Sequence, residues 1–289
     1  MLLKIIYLQR KRLLIFLLLL FLANFYVFFR LNPQKQLKVK FFAVGEGDAI
    51  FIETPGSFRL LVDGGPNETV LNFLDQILPP FDRRLDIIFL THPHSDHLRG
   101  LLTVLSHYQV GQIFYNPVPY DSFDYQKFRQ IVKELQIPAR SLTQGEKLVF
   151  PEGVELNVFW PPQQESIMEM INVNFSSLVF RINWKNFSVL LTGDAEFGEI
   201  PELESINWAP VTVLKVPHQG SQGALTNKVL IKLKPQLAVF TVGRNQYGHP
   251  ALSELEKLQQ AQIPFLRTDQ QGTIEVVSDG EKWYYRSEK

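Results

Sequence analysis

This chain of 289 residues contains no cysteine. That excludes disulfide staples, thiolate metal ligands and a cysteine nucleophile. It also lacks an excess of either charge: Lys+Arg and Asp+Glu are both 29. Without a global basic field, nucleic acid is not gathered non-specifically, which argues against an architectural DNA binder. An enzyme with a local groove stays open. Histidine is scarce, at 6 residues, so its placement is informative. Apolar residues are plentiful: 45% is ample for one large domain, or one domain with an appendage. No internal repeat or low-complexity tract is visible.

One long apolar run is present. Leu13 to Phe29 carries no charge and follows Arg10-Lys11-Arg12. As a helix it would span roughly 25 Å, enough to cross a hydrocarbon core. Its end, Phe25-Tyr26-Val27-Phe28-Phe29, is aromatic and unsuited to a signal peptidase. An uncleaved N-terminal transmembrane helix is therefore expected, with residues 1–37 as anchor and linker and 38–289 as the domain. Basic residues balance on the two flanks, Lys4, Arg10, Lys11 and Arg12 against Arg30, Lys35, Lys38 and Lys40. The tight Arg-Lys-Arg cluster favours an inside N-terminus with the domain extracytoplasmic.

From Lys38 the pattern turns to short β-branched and aromatic runs alternating with amphipathic stretches. Strands are predicted at Val39–Val44, Ala49–Glu53, Arg59–Val62, Asp86–Leu90, Gln112–Tyr115, Lys147–Phe150, Val154–Trp160, Ser177–Ile182 and Phe187–Thr192. Further strands follow at Val211–Val216, Leu237–Val242, Pro264–Arg267, Gly272–Val277 and Lys282–Arg286. Helices are predicted at Asn67–Leu78, Leu98–Tyr108, Tyr125–Gln136 and Leu252–Gln260. This alternation predicts an α/β fold with helices covering sheets. Phe159-Trp160 and Trp184 read as packing residues, not as a base-stacking platform.

Three of the 6 histidines lie in Thr91-His92-Pro93-His94-Ser95-Asp96-His97, directly after the apolar run Leu85–Leu90. So dense a cluster fits neither a helix face nor a strand face. It predicts a loop at a strand end, where imidazoles and a carboxylate converge on a metal ion. Other polar motifs also follow apolar strands: Asp63-Gly64-Gly65, Thr192-Gly193-Asp194 and Pro217-His218-Gln219-Gly220-Ser221. Loops at strand ends display side chains from a rigid scaffold.

With Val44-Gly45-Glu46-Gly47-Asp48-Ala49, Ser176-Ser177-Leu178-Val179, Lys215-Val216-Pro217-His218 and Asn245-Gln246-Tyr247-Gly248-His249-Pro250, these motifs resemble the metallo-β-lactamase superfamily. More narrowly they are similar to the hydrolase domain of ComEC-type competence proteins, which act in bacterial DNA uptake. The resemblance runs from about Lys38 to about Gly272. It implies a four-layer αβ/βα sandwich holding two divalent metal ions, zinc or alternatively manganese. By position, His92 and His94 would hold the first ion; Asp96, His97 and His218 the second; Asp194 would bridge both. Asp63 would orient an imidazole from behind, and Asp96, Asp194 and His249 would serve catalysis. Asn174, Ser176 and Ser177 would donate to a substrate phosphate or else cap the start of the strand, and His249 would protonate the leaving group or bind phosphate, or else be a helix-entry residue with a structural hydrogen bond. Asp48 reads as a turn residue or a buttress, and His107 as a solvated helix-end residue.

Two departures stand out. Asn174 occupies the position where many superfamily members carry a further histidine, and His218-Gln219 replaces a His-His pair. The resemblance implies a membrane-anchored binuclear phosphodiesterase or nuclease, with DNA as substrate and a metal-bridging hydroxide as nucleophile. Two rival readings share the sequence. One is a hydrolase of a small phosphoester, phosphocholine ester, lactone or thioester; the other is a non-catalytic module associated with DNA uptake. A single span cannot line a pore, so uptake would need a separate membrane channel partner.

Overall fold

The computed structural model describes residues 10–22, 24, 35–115, 118–163 and 172–289. The chain divides into two compact units, Met1–Lys35 and Gln36–Lys289. In the first, residues 10–22 are helical. Among the described residues, no helix is long and apolar enough to cross a membrane. The expected span Leu13–Phe29 falls partly outside the described residues.

The second unit is built on two sheets. The first contains β1 (Leu37–Phe41), β2 (Ile50–Glu53), β3 (Arg59–Val62), β4 (Arg84–Leu90), β5 (Gln109–Tyr115) and β6 (Ala139–Arg140), closed by β14 (Ile274–Ser278) and β15 (Trp283–Ser287). Its strand order is β15-β14-β1-β2-β3-β4-β5-β6. The second contains β7 (Lys147–Val149), β8 (Glu155–Trp160), β9 (Val179–Trp184), β10 (Phe187–Leu191), β11 (Val213–Lys215), β12 (Leu237–Phe240) and β13 (Phe265–Arg267), in the order β13-β12-β11-β10-β9-β8-β7. In each sheet an antiparallel half adjoins a parallel half: β3 to β6 run parallel, as do β10 to β13.

The period-2 alternation of the strands makes the layers. Leu60 and Val62 enter the core between the sheets, whereas Leu61 points to the opposite face. There it meets Val70 and Leu74 of α1 (Thr69–Ile77) and Leu98, Leu101 and Val104 of α2 (Ser95–His107), with Phe128 of α3 (Phe123–Glu134) in the same cluster. The second sheet repeats the pattern. Val189 and Leu191 face inward, and Leu190 packs in a cluster with Leu203 of α4 (Pro201–Ser205), Val229, Leu230 and Leu233 of α5 (Asn227–Leu233) and Leu258 of α6 (Leu252–Gln260). The result is the expected α/β sandwich, in the layer order helix, sheet, sheet, helix. Phe89 of β4 meets Phe180 of β9 across the sheets at a ring-centroid distance of 5.0 Å, and Phe114 on its own sheet at 5.4 Å.

Two sequence readings need correction. The helix expected from Leu98 begins at Ser95, so Asp96 and His97 lie in its first turn and not in a loop. His94 is the extended residue that opens it, and Asp96 sits where a carboxylate favours the helix dipole. Helices α4 and α5 were not anticipated; α5 is only 7 residues long and starts behind Thr226, whose hydroxyl accepts from the Val229 amide. Short helices give too few repeats for a clear period.

Phe89 is fully buried between two aromatic neighbours, so its truncation leaves a void that neither sheet can close. Phe89→Ala is expected to cost about 3–5 kcal/mol. The midpoint of urea unfolding, at unchanged slope, measures it.

Candidate metal centre

Strand β3 runs parallel to β4, and β10 to β11, so in each sheet the C-terminal ends of the pair come to the same edge. Asp63, Thr91, Asp194 and His218 follow those ends. The chain turns sharply there: Asp63 has φ 57°, Gly193 φ 49° and His218 φ 44°, all in the left-handed region. That region costs a non-glycine residue strain and is held here by the surrounding bonds. Close approach is a second requirement. A Cβ on Gly100 of α2 would lie 1.8 Å from the Gly64 carbonyl oxygen, so two glycines let the helix carrying His97 settle onto the loop carrying Asp63. The Gly64 amide donates to the His97 carbonyl at 2.7 Å.

Asp63 organises the first sheet's contribution. Its Oδ1 accepts the Thr91 amide at 2.8 Å, and its Oδ2 accepts the Thr91 hydroxyl at 2.7 Å and His97 Nδ1 at 2.8 Å. The Thr91 hydroxyl has one proton, and Asp63 receives it. Thr91 Oγ1, 3.1 Å from His92 Nδ1, can then only accept, which fixes the proton of His92 on Nδ1. His92 Nε2 is left as a bare lone pair. It is buried and has no hydrogen-bond partner.

The second sheet brings the carboxylate that faces it. Asp194 Oδ2 lies 3.6 Å from His92 Nε2 and 3.6 Å from His218 Nε2, while Oδ1 lies 3.3 Å from His97 Nε2. His218 turns its Nδ1 to Glu196, a carboxylate also held by the Ser221 hydroxyl at 2.5 Å. Each of these rings is thus pinned through Nδ1 and presents Nε2 to Asp194. This is the arrangement that metal-bound histidines need, with the distal nitrogen hydrogen-bonded to fix tautomer and orientation. Ligand atoms of His92, His97 and Asp194 all lie within 4.8 Å of one another. Asp96 Oδ2, 3.5 Å from His97 Nε2, adds a carboxylate on the more exposed side.

A second cluster, Asp48, Asp63 and His97, has the same compactness. It already contains a cation: Lys215 Nζ, wholly buried, lies 2.5 Å from Asp48 Oδ2, 2.9 Å from the Gly193 carbonyl and 3.9 Å from Asp194 Oδ1. Across the centre, the carboxylates of Asp48, Asp63, Asp96, Asp194 and Glu196 outnumber the Lys215 ammonium and the protonated His97 ring. Such a buried surplus of negative charge is costly without further cations.

The titration shifts follow from this crowding. Burial pushes His92 well below the ordinary imidazole range, helped by the charge on His97, and burial also lowers His94. Burial opposes a charge on His97, yet Asp194, Asp96 and Asp63 together raise its pKa well above that range. For Asp96 burial is likewise outweighed, and His97 draws it down to about 2. Burial opposes ionisation of Asp194 too, but His97 and His92 hold its pKa well below the usual carboxylate value.

The remaining expected residues fall as follows. His94 is partly exposed, its ring 4.7 Å from His92 and 5.3 Å from Tyr120. Asn174 is buried in a single helical turn over Val173–Ser176, with Oδ1 unpartnered. Ser177 Oγ accepts the Asp194 amide at 3.1 Å, and Ser176 Oγ donates to the Val173 carbonyl at 2.7 Å, so both hydroxyls make bonds inside the protein. His249 stands beside the centre, its ring 5.4 Å from His218 and its Nδ1 2.8 Å from Glu46 Oε1. Asp48 acts as a buttress, accepting the Thr241 hydroxyl at 2.5 Å as well as Lys215. His107 is exposed at the end of α2, away from the cluster, with Nδ1 2.8 Å from the Thr103 carbonyl.

Sequence reasoning missed Glu46, Glu196 and Lys215 as parts of this site. A lysine inside the apolar run Val213–Val216 was a usable signal, because a buried charge needs partners. Glu46 and Glu196 stand two residues from Asp48 and Asp194, in the same loops.

A family model described as the metallo-beta-lactamase superfamily matches residues 43–243. ComE operon protein 3 of Bacillus subtilis (strain 168) is 28% identical over 253 residues, covering 80% of this chain and 32% of that protein. Competence protein ComA of Neisseria gonorrhoeae is 26% identical over 250 residues, covering 84% of this chain and 32% of its own length. The chain therefore spans about a third of these relatives, and the similarity to ComEC-type competence proteins holds over that third. Among solved structures, the metallo-beta-lactamase fold protein YhfI from Bacillus subtilis aligns with TM-score 0.56 at 12% identity, covering 83% of this chain and 99% of that one. Zn(2+)-bound PqqB from Methylobacterium extorquens aligns with TM-score 0.50 at 13% identity, covering 78% and 86%. At such identities these structures speak for the fold alone.

With its pKa raised well above the ordinary range, His97 carries a proton at pH 7 that a metal ion must displace from Nε2. Zinc binding at pH 7 is therefore expected to release protons, and affinity to fall as pH is lowered. Calorimetric titration in buffers of different ionisation heat measures both. Asp63→Ala, which frees the His92 and His97 tautomers, is expected to weaken binding roughly 10–100-fold.

Proposed function

Because this chain belongs to the metallo-beta-lactamase superfamily of metal-dependent hydrolases, we propose that it is a membrane-anchored phosphodiesterase that cuts DNA at a binuclear centre. The observation carrying this reading is the convergence of His92, His97 and His218 Nε2 on Asp194, with each Nδ1 already bonded. Its similarity to competence proteins supports DNA as the substrate.

His92 and His94 would hold one divalent ion, Asp96, His97 and His218 the other, with Asp194 shared. When bound, such a pair supplies Lewis acidity and a nucleophile at neutral pH. The protein's own work is positioning. Asp63, Thr91 and Glu196 keep the imidazoles in the tautomer that donates a lone pair inward. The Ser177 hydroxyl oxygen accepts the Asp194 backbone amide, and Gln219 Nε2, 3.3 Å from Asp194 Oδ1, holds the shared carboxylate. Asn174, whose Oδ1 has no internal partner, would turn its Nδ2 donor to a phosphate oxygen.

His249 is assigned to the leaving group. Glu46 fixes its Nδ1, so Nε2 is the atom that delivers a proton to the departing oxygen. Asn245 holds the surrounding loop: its Oδ1 accepts the amides of Tyr247, Gly248 and His249, and its Nδ2 donates to the carbonyls of Gly243 and His249. The apolar run Leu13–Phe29 would keep the domain at the bilayer on its extracytoplasmic side, with a separate membrane channel as its partner in uptake.

The test is metal analysis of the full chain with cleavage assays on single-stranded DNA, double-stranded DNA and bis-p-nitrophenyl phosphate. Expected are two divalent ions per chain, DNA cleavage that stops with chelator, and loss of both in Asp194→Ala. Hydrolysis of the small ester alone would select the rival hydrolase, and inert metal-free protein the binding module. His249→Ala is expected to lower kcat by roughly 10²–10⁴-fold while metal stays bound.

A further inference from the structure

The loop that carries His249 also carries a side chain for which the chemistry above has no use. Residues 243–250 follow β12 and are fixed from within. Asn245 Oδ1 accepts the amides of Tyr247, Gly248 and His249, and its Nδ2 donates to the carbonyls of Gly243 and His249. Glu46 clamps the base: its Oε2 accepts the Gly243 amide at 3.0 Å, and its Oε1 faces His249 Nδ1. A Cβ on Gly243 would lie 2.4 Å from the Gly45 carbonyl carbon, so the base is seated on the β1–β2 loop. The tip is the opposite. A Cβ on Gly248 would meet nothing within 4 Å.

Tyr247 stands on that tip, 77% exposed. Among the described residues of the second unit, Phe81, Phe123, Tyr284 and Tyr285 are also exposed, but Tyr247 is the one that rests on a ring beside the metal centre. Its ring lies 5.6 Å from that of His249, with an interplanar angle of 28°, and His249 lies 5.4 Å from His218. Tyr247, His249 and His218 thus form a row of rings from solvent to the nitrogen that faces Asp194. A large ring, bare and held by a bonded loop, suits stacking by another flat ring, because little freedom is left to lose on contact. Arg244, in the same loop, is exposed and forms no ion pair among the described residues. It adds a cation for a neighbouring phosphate.

The position of the ring identifies its occupant. His249 serves the leaving oxygen, so the group borne by that oxygen departs along the outer side of His249, where Tyr247 lies. In a DNA strand that group is a nucleoside. We infer that Tyr247 is the stacking platform for the base of the departing nucleoside, so that the centre selects a strand with a base on the leaving side over a bare phosphoester. The inference rests on the phosphodiesterase reading above. The rival role is that of a plate which merely orients His249.

The test uses the full chain with zinc or manganese and short single-stranded oligonucleotides. Each has one phosphodiester at a fixed position, with phosphorothioate linkages elsewhere. One strand is intact, and two are abasic on one or the other side of the cleavable bond. Loss of the base on the leaving side is expected to raise KM roughly 5–100-fold with kcat little changed, and loss on the other side to matter less. In Tyr247→Ala the intact strand is expected to show the same rise, with no further loss on the abasic strand, because the two changes remove one contact. Tyr247→Phe keeps the ring and is expected to keep the wild-type pattern. Additive losses, or a kcat lowered equally on intact and abasic strands as a plate behind His249 requires, would overturn the platform and leave the nuclease standing. A wild-type chain that cuts none of the strands would remove the phosphodiesterase reading, and the platform with it.

Discussion

The site depends on one buried carboxylate. Asp63 receives the only hydroxyl proton of Thr91 and the Nδ1 proton of His97, and through Thr91 it dictates the tautomer of His92. Two inward-facing lone pairs are thereby set by a residue that need never touch an ion. The cost is a charge removed from water and a backbone in the left-handed region. Both are met locally, by three hydrogen bonds and by the glycine contact that brings α2 down onto the loop.

The second sheet solves the same problem with different groups. Glu196 holds His218 as Asp63 holds His97, and Lys215 neutralises Asp48 at the junction. Neither sheet contains all of the ligands proposed above. His92, His94, Asp96 and His97 come from the first, Asp194 and His218 from the second, so the centre exists only once the two sheets have packed.

Much of this was legible in the sequence, and for physical reasons. An unbroken apolar run such as Leu60-Leu61-Val62 marks a strand buried on both faces, and the boundaries of β3 and β10 fall within a residue of those expected. Polar residues abruptly following apolar strands located the rim. What escaped was set by tertiary contact. Ser95-Asp96-His97 begins a helix because the rim packs it against Gly64, an approach no local pattern announces. The roles of Glu46 and Glu196 arise from rings more than 20 residues away in the chain. Helix α5 is too short for periodicity to reveal. Ser177, read as a group facing substrate, has its oxygen on the Asp194 amide.

Phe89 precedes the Thr91 loop by two residues and rests on Phe180, three residues beyond Ser177. The depth at which these two rings interlock therefore sets how far apart the imidazoles and Asp194 stand. The calibre of the cage, and with it the ionic radius that fits, is gauged inside the oily interior of the molecule, out of reach of solvent and substrate alike.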